Sequence, residues 1–212
     1  IQCKLAEEVE EKIGDAESLT TDQVRGMDFM KRFFLEQLRM YPALHTAIPR
    51  QVQEDITVQD VHFPKGSFVV IPFLVLHNDP VHYENPEKVE PDRHKDDAIV
   101  GRDKHAYIPF YAGFHSCPGQ GLFFLEAIVA LSKTLQKFNI VAAEGYGMPK
   151  AKYGATLMPD PNVPLRLESK PQNILCEVSS VGSEIEAAGD DRTVLTAASS
   201  PQGAARCPFN HM

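Results

Sequence analysis

Apolar side chains recur at the spacing of an α-helix in three parts of the chain, and each part is predicted to be helical. The first is 1–13, where glutamates occupy the opposite face. The second begins at Thr20, whose Thr-x-x-Gln sequence is typical of a capping box, and runs to about Met40, ahead of Pro42. The third is 120–138. The apolar stripes of the second and third helices consist of Met27, Met30, Phe34, Leu38, Phe124, Ile128, Leu131, Leu135 and Phe138.

Between the second and third helices the pattern changes to strands and loops. Apolar and β-branched residues in 50–76 surround a Pro64-Lys65-Gly66 turn and end in a β-rich run from Phe68 to Val75, which predicts a small antiparallel sheet. Residues 77–116 are irregular and proline-rich, and a loop of this length in a compact domain is typically functional or disordered.

Short strands are also predicted around 156–158 and 164–167. Together with the three helices, these elements predict a fold that is mainly α with a small antiparallel β-sheet (α+β).

The two ends of the chain predict that 1–168 is folded and that 169–212 is a low-complexity, disordered tail. The tail is rich in Ala, Ser, Gly and Pro and has one aromatic residue, Phe209, so it buries too little apolar area to offset its ordering entropy. The chain begins at Ile1, inside the first helical pattern and without a leader, and we expect it to be a fragment of a longer protein.

Composition narrows the possible functions. The 212 residues include 21 basic and 29 acidic side chains, and the net charge of −8 is not the basic footprint of a nucleic-acid-binding protein. No apolar run approaches the ~20 residues of a membrane-spanning helix. The four cysteines are far apart in sequence, which favours free thiols over a disulfide framework or a redox pair.

The candidate chemistry lies at 110–119, whose sequence F-x-x-G-x-x-x-C-x-G leads directly into the third helix. A cysteine just ahead of a helix N-terminus faces unpaired backbone N–H groups and the positive end of the helix dipole, and both favour the thiolate. Gly113 and Gly119 permit unusual backbone angles and the close approach of a flat ligand, and Pro118 is suited to the first helical turn. Cys117 is therefore predicted to be a metal-bound thiolate rather than a small core residue.

Two further motifs lie upstream of this stretch. Glu36 and Arg39 form an E-x-x-R pair on one face of the second helix. Such a pair by itself indicates only a surface ion pair worth roughly a few tenths of a kcal/mol, but this one stands just before the predicted sheet. The segment 85–93 has the sequence N-P-E-K-V-E-P-D-R and ends on Arg93.

These three motifs together resemble those of the cytochrome P450 superfamily. The stretch around Cys117 is similar to the family's haem-binding loop, and the E-x-x-R pair to its helix motif. The segment that ends on Arg93 is similar to the family's F-x-P-x-R sequence, with Val89 in place of the aromatic residue. The resemblance covers about 1–168 and implies the C-terminal portion of the cytochrome P450 fold.

The resemblance implies a role for each of these residues. Cys117 is the axial ligand of the iron of haem b (iron protoporphyrin IX). The ion-paired triad that supports the haem loop consists of Glu36, Arg39 and Arg93. Arg50 resembles a clamp for a haem propionate, which a guanidinium suits well. His115 stands where the family usually has a propionate-pairing arginine, and a neutral histidine there is expected to weaken haem retention. The remaining contacts to the haem are Phe110, Gly113 and Gly119.

The implied function is that of a haem-thiolate monooxygenase, which inserts one atom of molecular oxygen into an organic substrate and releases the other as water. The implied partners are an NADPH-dependent reductase or a ferredoxin as electron donor, and a small lipophilic substrate; no nucleic acid is expected. The implied location is the cytosolic side of the endoplasmic reticulum membrane, through an N-terminal anchor that is not part of this sequence.

Three alternatives remain open. The family's central helix with its acid–Thr pair has no counterpart here, so we expect no competent proton relay in this chain alone, and the chain could be a remnant that binds haem weakly or not at all. The second alternative is a haem-thiolate isomerase or dehydratase. The third is a zinc site of Cys117 with His105 and His115, whose spacing fits no common zinc pattern. His77, His82 and His105 are predicted to be solvated.

Overall fold

The computed structural model describes residues 1–143, 150–154, 156–160 and 162–170. The chain divides into two units, Ile1–Ser169 and Lys170–Met212, and the first contains nearly all of the described residues. The predicted disordered tail lies outside the described residues from 171 onward and stays a prediction.

Five α-helices lie in the described part of the chain. Their bounds are α1 Gln2–Lys12, α2 Thr21–Arg25, α3 Asp28–Met40, α4 Phe73–Leu76 and α5 Gln120–Lys137. Two short 3₁₀ helices, Pro91–His94 and Gly113–His115, lie in the long irregular segment between α4 and α5. No helix in the described part of the chain combines the length and the apolar content that a membrane span needs.

The predicted helix from Thr20 to Met40 is two helices, and the single-helix prediction was wrong. The capping box is present, because Gln23 N–H donates to Thr20 Oγ1 at 3.3 Å and Thr20 N–H donates to Gln23 Oε1 at 2.9 Å. Gly26 ends α2, and its N–H donates to the carbonyls of Asp22 and Gln23. The chain then starts α3 at Asp28.

The strands form four two-stranded antiparallel pairs in the described residues. They are β1 Arg50–Gln51 with β4 Phe68–Val69, β2 Ile56–Val58 with β3 Val61–Phe63, β5 Phe138–Ala142 with β8 Leu165–Ser169, and β6 Lys150–Tyr153 with β7 Leu157–Asp160. The fold class, mainly α with small antiparallel sheets, is confirmed. The predicted strand from Phe68 to Val75 is not, because it ends at Val69. Pro72 lacks the N–H that a strand ladder needs and instead opens the helical turn of α4.

The hydrophobic core joins α1, α3 and α5. Its buried members include Leu5 and Val9 of α1, Met30 of α3, and Ile128 and Leu135 of α5. Burial of these aliphatic and sulfur-containing side chains contributes on the order of 1.5–3 kcal/mol each. The core therefore fixes two helices that matter for the site: α3, which carries the E-x-x-R pair, and α5, whose first residue follows the cysteine loop.

Candidate functional site

An ion-paired cluster is centred on Glu36, in the second half of α3. Glu36 and Arg39 are one helical turn apart, and the structure leaves both with 0% exposure. Arg39 Nε donates to Glu36 Oε2 at 2.9 Å and Arg39 Nη2 donates to Glu36 Oε1 at 3.0 Å. This two-point geometry is the strong form of an arginine–carboxylate pair.

The irregular segment adds three more donors to the same carboxylate. Arg93 Nε donates to Glu36 Oε1 at 3.1 Å, and the backbone N–H of Glu90 donates to that oxygen at 3.0 Å. His94 Nε2 lies 2.9 Å from Glu36 Oε2. The structure therefore brings the predicted triad together and adds a fourth side chain, that of His94.

Electrostatics sets the protonation of this cluster. Burial alone would raise the pKa of Glu36, but hydrogen bonds from His94 and Arg39 outweigh it and lower that pKa to about 2. Burial lowers the pKa of His94, against the pull of Glu36. Glu36 is therefore a carboxylate at neutral pH, and neutral His94 donates its Nε2 proton to it.

The two arginines also bind the backbone of the irregular segment. Arg39 Nη1 donates to His77 O at 3.0 Å and to Asn78 Oδ1 at 2.9 Å, and Arg39 Nη2 donates to Pro86 O at 2.6 Å. Arg93 Nη1 donates to Glu84 O at 3.0 Å. The cluster thus holds 77–94 against α3, although this segment has little regular secondary structure.

The cysteine loop lies immediately before α5. The backbone N–H of Cys117 donates to Phe110 O at 2.7 Å, which closes the loop, and Gly113 at its centre has a φ of +66°. Only glycine adopts such a left-handed angle without strain. A Cβ at Gly119 would lie 3.6 Å from Cys117 Sγ. Cys117 itself is exposed.

Pro118 lies in the turn before α5 and not in its first helical turn, so that part of the prediction was wrong. The helix begins at Gln120 with Gly119 as its N-cap residue. Phe123 N–H donates to Gly119 O at 2.9 Å, so the turn with Pro118 and Gly119 leads directly into the helical ladder.

Aromatic contacts attach the loop to its neighbours. The Phe110 ring packs against Phe123 and Phe124 of α5, with centroid separations of 5.6 Å and 5.9 Å. The Tyr111 ring meets Phe73 of α4 edge-on at 5.1 Å, and its hydroxyl accepts a hydrogen bond from the backbone N–H of Ile48.

The remaining predicted site residues lie around the same loop. The guanidinium of Arg50, in β1, is 5.9 Å from the centroid of the Tyr111 ring. His115 is exposed in the 3₁₀ helix just ahead of Cys117. In the described residues, no three His, Cys, Asp or Glu side chains are arranged to hold a metal ion, so the zinc alternative of Cys117 with His105 and His115 finds no support.

Two site residues were not predicted. His77 was expected to be solvated and is fully buried, and that expectation was wrong. His94 had no assigned contact and binds Glu36. The position of His94 beside Arg93 in one short turn was the available signal, since a turn that brings Arg93 to the carboxylate also brings its neighbour close. The sequence holds no comparable signal for His77.

The family comparison covers all of these residues. The family model of cytochrome P450 matches residues 1–166. The chain belongs to the cytochrome P450 family. Cytochrome P450 3A16 of the mouse (Mus musculus) is 32% identical to it over 173 residues, and cytochrome P450 3A41 of the mouse is 31% identical over 175 residues. Each match covers 82% of this chain. Cytochrome P450 3A1 of the rat (Rattus norvegicus) is 30% identical over 172 residues.

The chain spans about a third of the length of these cytochrome P450 relatives, since each match covers 34% of the relative. The matched region nevertheless contains both halves of the site described above, the Glu36 cluster and the cysteine loop. Membership in the cytochrome P450 family implies a haem cofactor.

Proposed function

We propose that this chain supplies the haem-binding site of a haem-thiolate monooxygenase and that Cys117 is the residue that would bind the haem iron. The observation that carries the proposal is the position of Cys117. It lies exposed at the entrance to α5, in the F-x-x-G-x-x-x-C-x-G stretch of a cytochrome P450 match.

The loop fits such a ligand in three respects. A cysteine thiolate is a recognised protein ligand of haem iron. The Cys117 side chain is exposed, so the sulfur is open to a large planar group. Gly119 keeps a side chain away from the sulfur, because a Cβ there would lie 3.6 Å from it. These features support a haem cofactor, and the family resemblance implies that it is haem b.

When bound, the haem supplies the activation of molecular oxygen, with electrons from a redox partner. Cys117 is the residue that would hold the iron, and its thiolate would supply electron density of the kind that favours O–O cleavage. The cluster of Glu36, Arg39, Arg93 and His94 acts from a distance, because it holds 77–94, the first part of the irregular segment that ends in the cysteine loop. Arg50 lies beside that loop and His115 lies within it, and we assign both to the haem propionates.

The substrate and partners follow from the same proposal. They are a small lipophilic molecule and an NADPH-dependent reductase or a ferredoxin. The location that we propose, the cytosolic side of the endoplasmic reticulum membrane, rests on the family resemblance alone.

The test is the absorption spectrum of the 212-residue chain after reconstitution with iron protoporphyrin IX, reduction and exposure to carbon monoxide. A thiolate-type Soret band that disappears in Cys117→Ser is expected. Cys3→Ser is the matched control, because Cys3 lies in α1 and should leave the spectrum unchanged. Absence of haem uptake would support the remnant alternative, and an unchanged band in Cys117→Ser would refute the assigned ligand.

A further inference from the structure

His77 is a buried histidine for which the proposed mechanism has no role. It caps the C-terminus of α4 and has 0% exposure. Its ring is stacked on that of Phe73, with centroids 5.7 Å apart and planes 3° apart. Tyr107 packs against the ring at 5.3 Å. The ring is therefore held in one orientation by aromatic neighbours.

Hydrogen bonding defines which ring nitrogen carries the proton. The backbone N–H of Ile108 donates to His77 Nε2 at 3.1 Å, so Nε2 is the acceptor and the proton is on Nδ1. The Nδ1 atom is buried, and no described residue forms a hydrogen bond with it. Burial, together with the positive charge of Arg39, lowers the pKa of His77 to about 4 and keeps the ring neutral.

A histidine buried with an unpartnered N–H is costly, typically by about 1–3 kcal/mol. A purely apolar residue of similar size would remove that cost. What the imidazole supplies, and a phenyl ring does not, is the acceptor for Ile108.

This acceptor connects the two halves of the site. The carbonyl of His77 accepts from Arg39 Nη1 at 3.0 Å, which ties the backbone of His77 to the Glu36 cluster. Its ring accepts from Ile108, just ahead of Phe110, and Phe110 O closes the loop by accepting from Cys117 N–H at 2.7 Å. A second path runs through the stacked Phe73, which meets Tyr111 of the loop at 5.1 Å.

We propose that His77 is a positioning residue, whose Nε2 holds the segment entering the cysteine loop in register with the Glu36–Arg39 cluster. The inference goes beyond the predicted triad. Within the described part of the chain, none of Glu36, Arg39 and Arg93 forms a hydrogen bond or an ion pair with 107–117. Its importance for chemistry rests on the proposed haem-thiolate function, in which Cys117 would have to be held in place for the iron.

The test compares His77→Phe with His77→Gln in the 212-residue chain, by amide hydrogen exchange followed by NMR. Phenylalanine keeps a stacking ring and loses the acceptor, whereas the amide oxygen of glutamine can occupy the position of Nε2. We expect the Ile108 and Cys117 amides to exchange about five-fold faster in His77→Phe, the factor that one net hydrogen bond carries. They should remain near the wild-type rate in His77→Gln. Buried amides of α1 report whether each variant is folded.

A measurement on the wild-type protein keeps the proposal falsifiable if His77→Phe does not fold. The ¹⁵N resonance of Nε2 is expected at the position of an unprotonated, hydrogen-bonded nitrogen. A protonated Nε2 would overturn the proposal. Equal Cys117 exchange in wild type and a folded His77→Phe would also overturn it, as would equally fast exchange in both variants.

The haem spectrum then separates this inference from the proposed function. After reconstitution with iron protoporphyrin IX, His77→Phe should lose part of the thiolate-type band of its reduced carbon monoxide complex, and His77→Gln should retain it. If wild type shows no such band while the exchange pattern holds, the proposed function fails and the positioning role stands. An undiminished band in His77→Phe, with wild-type exchange, refutes the positioning role alone.

Discussion

Replacing Glu36 with glutamine tests whether a single buried carboxylate holds the cluster together. Glutamine has nearly the same shape but no charge, so the change isolates electrostatics from packing. The two oxygens of Glu36 accept from Arg39 Nε and Nη2, Arg93 Nε, His94 Nε2 and the N–H of Glu90. A glutamine has one oxygen, and its NH₂ group would face donors at the other position. Arg39, with 0% exposure, would keep a buried charge without its counter-charge.

The size of the effect can be obtained in two ways. Removing one partner of a buried ion pair typically costs about 3–5 kcal/mol. Separately, the fall of the Glu36 pKa from 4.5 to about 2, at ~1.4 kcal/mol for each tenfold change in proton affinity, corresponds to about 3 kcal/mol of folding stability. The two values agree in order of magnitude, and we expect Glu36→Gln to lose about 3 kcal/mol.

Urea unfolding at neutral pH measures this loss as a shift in midpoint at unchanged slope. Glu87→Gln is the matched control, because Glu87 is exposed on the same irregular segment and its replacement should cost less than about 0.5 kcal/mol.

The pH dependence of the loss in stability has a definite sign. Since the folded-state pKa of Glu36 is lowered, its stabilisation is complete above pH 4.5 and is lost as the pH falls towards 2. The difference between wild type and Glu36→Gln must therefore shrink in acid. A loss no larger than that of the control, or one that grows in acid, would refute the reasoning.

Three further predictions use the same unfolding measurement. Gly113→Ala should destabilise the protein by about 1 kcal/mol, because an alanine at a φ of +66° is strained. Gly121→Ala, in α5, should instead stabilise it by about 0.5 kcal/mol. If both variants changed the free energy of unfolding in the same direction, this account of Gly113 would be contradicted. Thr20→Ala removes the capping box and should cost about 1 kcal/mol, and a neutral result would show that α2 does not depend on its cap. His94→Phe withdraws a donor from the buried carboxylate of Glu36 and should cost about 1–3 kcal/mol; a gain in stability would show that the ring acts only by packing.

The sequence predicted the parts of the site that have a local signature. The E-x-x-R pair is visible because i and i+3 side chains share a helix face, and Glu36 and Arg39 do form a bidentate pair. The cysteine loop is visible because it precedes the longest apolar helical pattern, and α5 starts at Gln120. The capping box at Thr20 is equally local, and it is present.

The parts that were missed depend on contacts between distant segments. Phe73 lies one helical turn before His77, but Tyr107 and Ile108, which complete the surroundings of its ring, come from the far end of the irregular segment. No periodicity marks such a residue. The strand predicted from Phe68 to Val75 ends early for a local reason, since Pro72 has no N–H to donate to a strand ladder.

A physical reason for the ionic cluster follows from the segment that it holds. Replacing a buried ion pair with apolar residues is often neutral or stabilising in proteins. Here that exchange would also remove the donors for the backbone carbonyls of His77, Pro86 and Glu84, which belong to no strand ladder. The hydrogen bond to the His77 carbonyl is buried, and a buried carbonyl without a donor costs about 1–3 kcal/mol. The arginines therefore act as substitutes for secondary structure, and the carboxylate of Glu36 is what permits two guanidinium groups to be there. An apolar core at this position would have to be accompanied by regular structure in 77–94, and the cysteine loop would then be held in a different way.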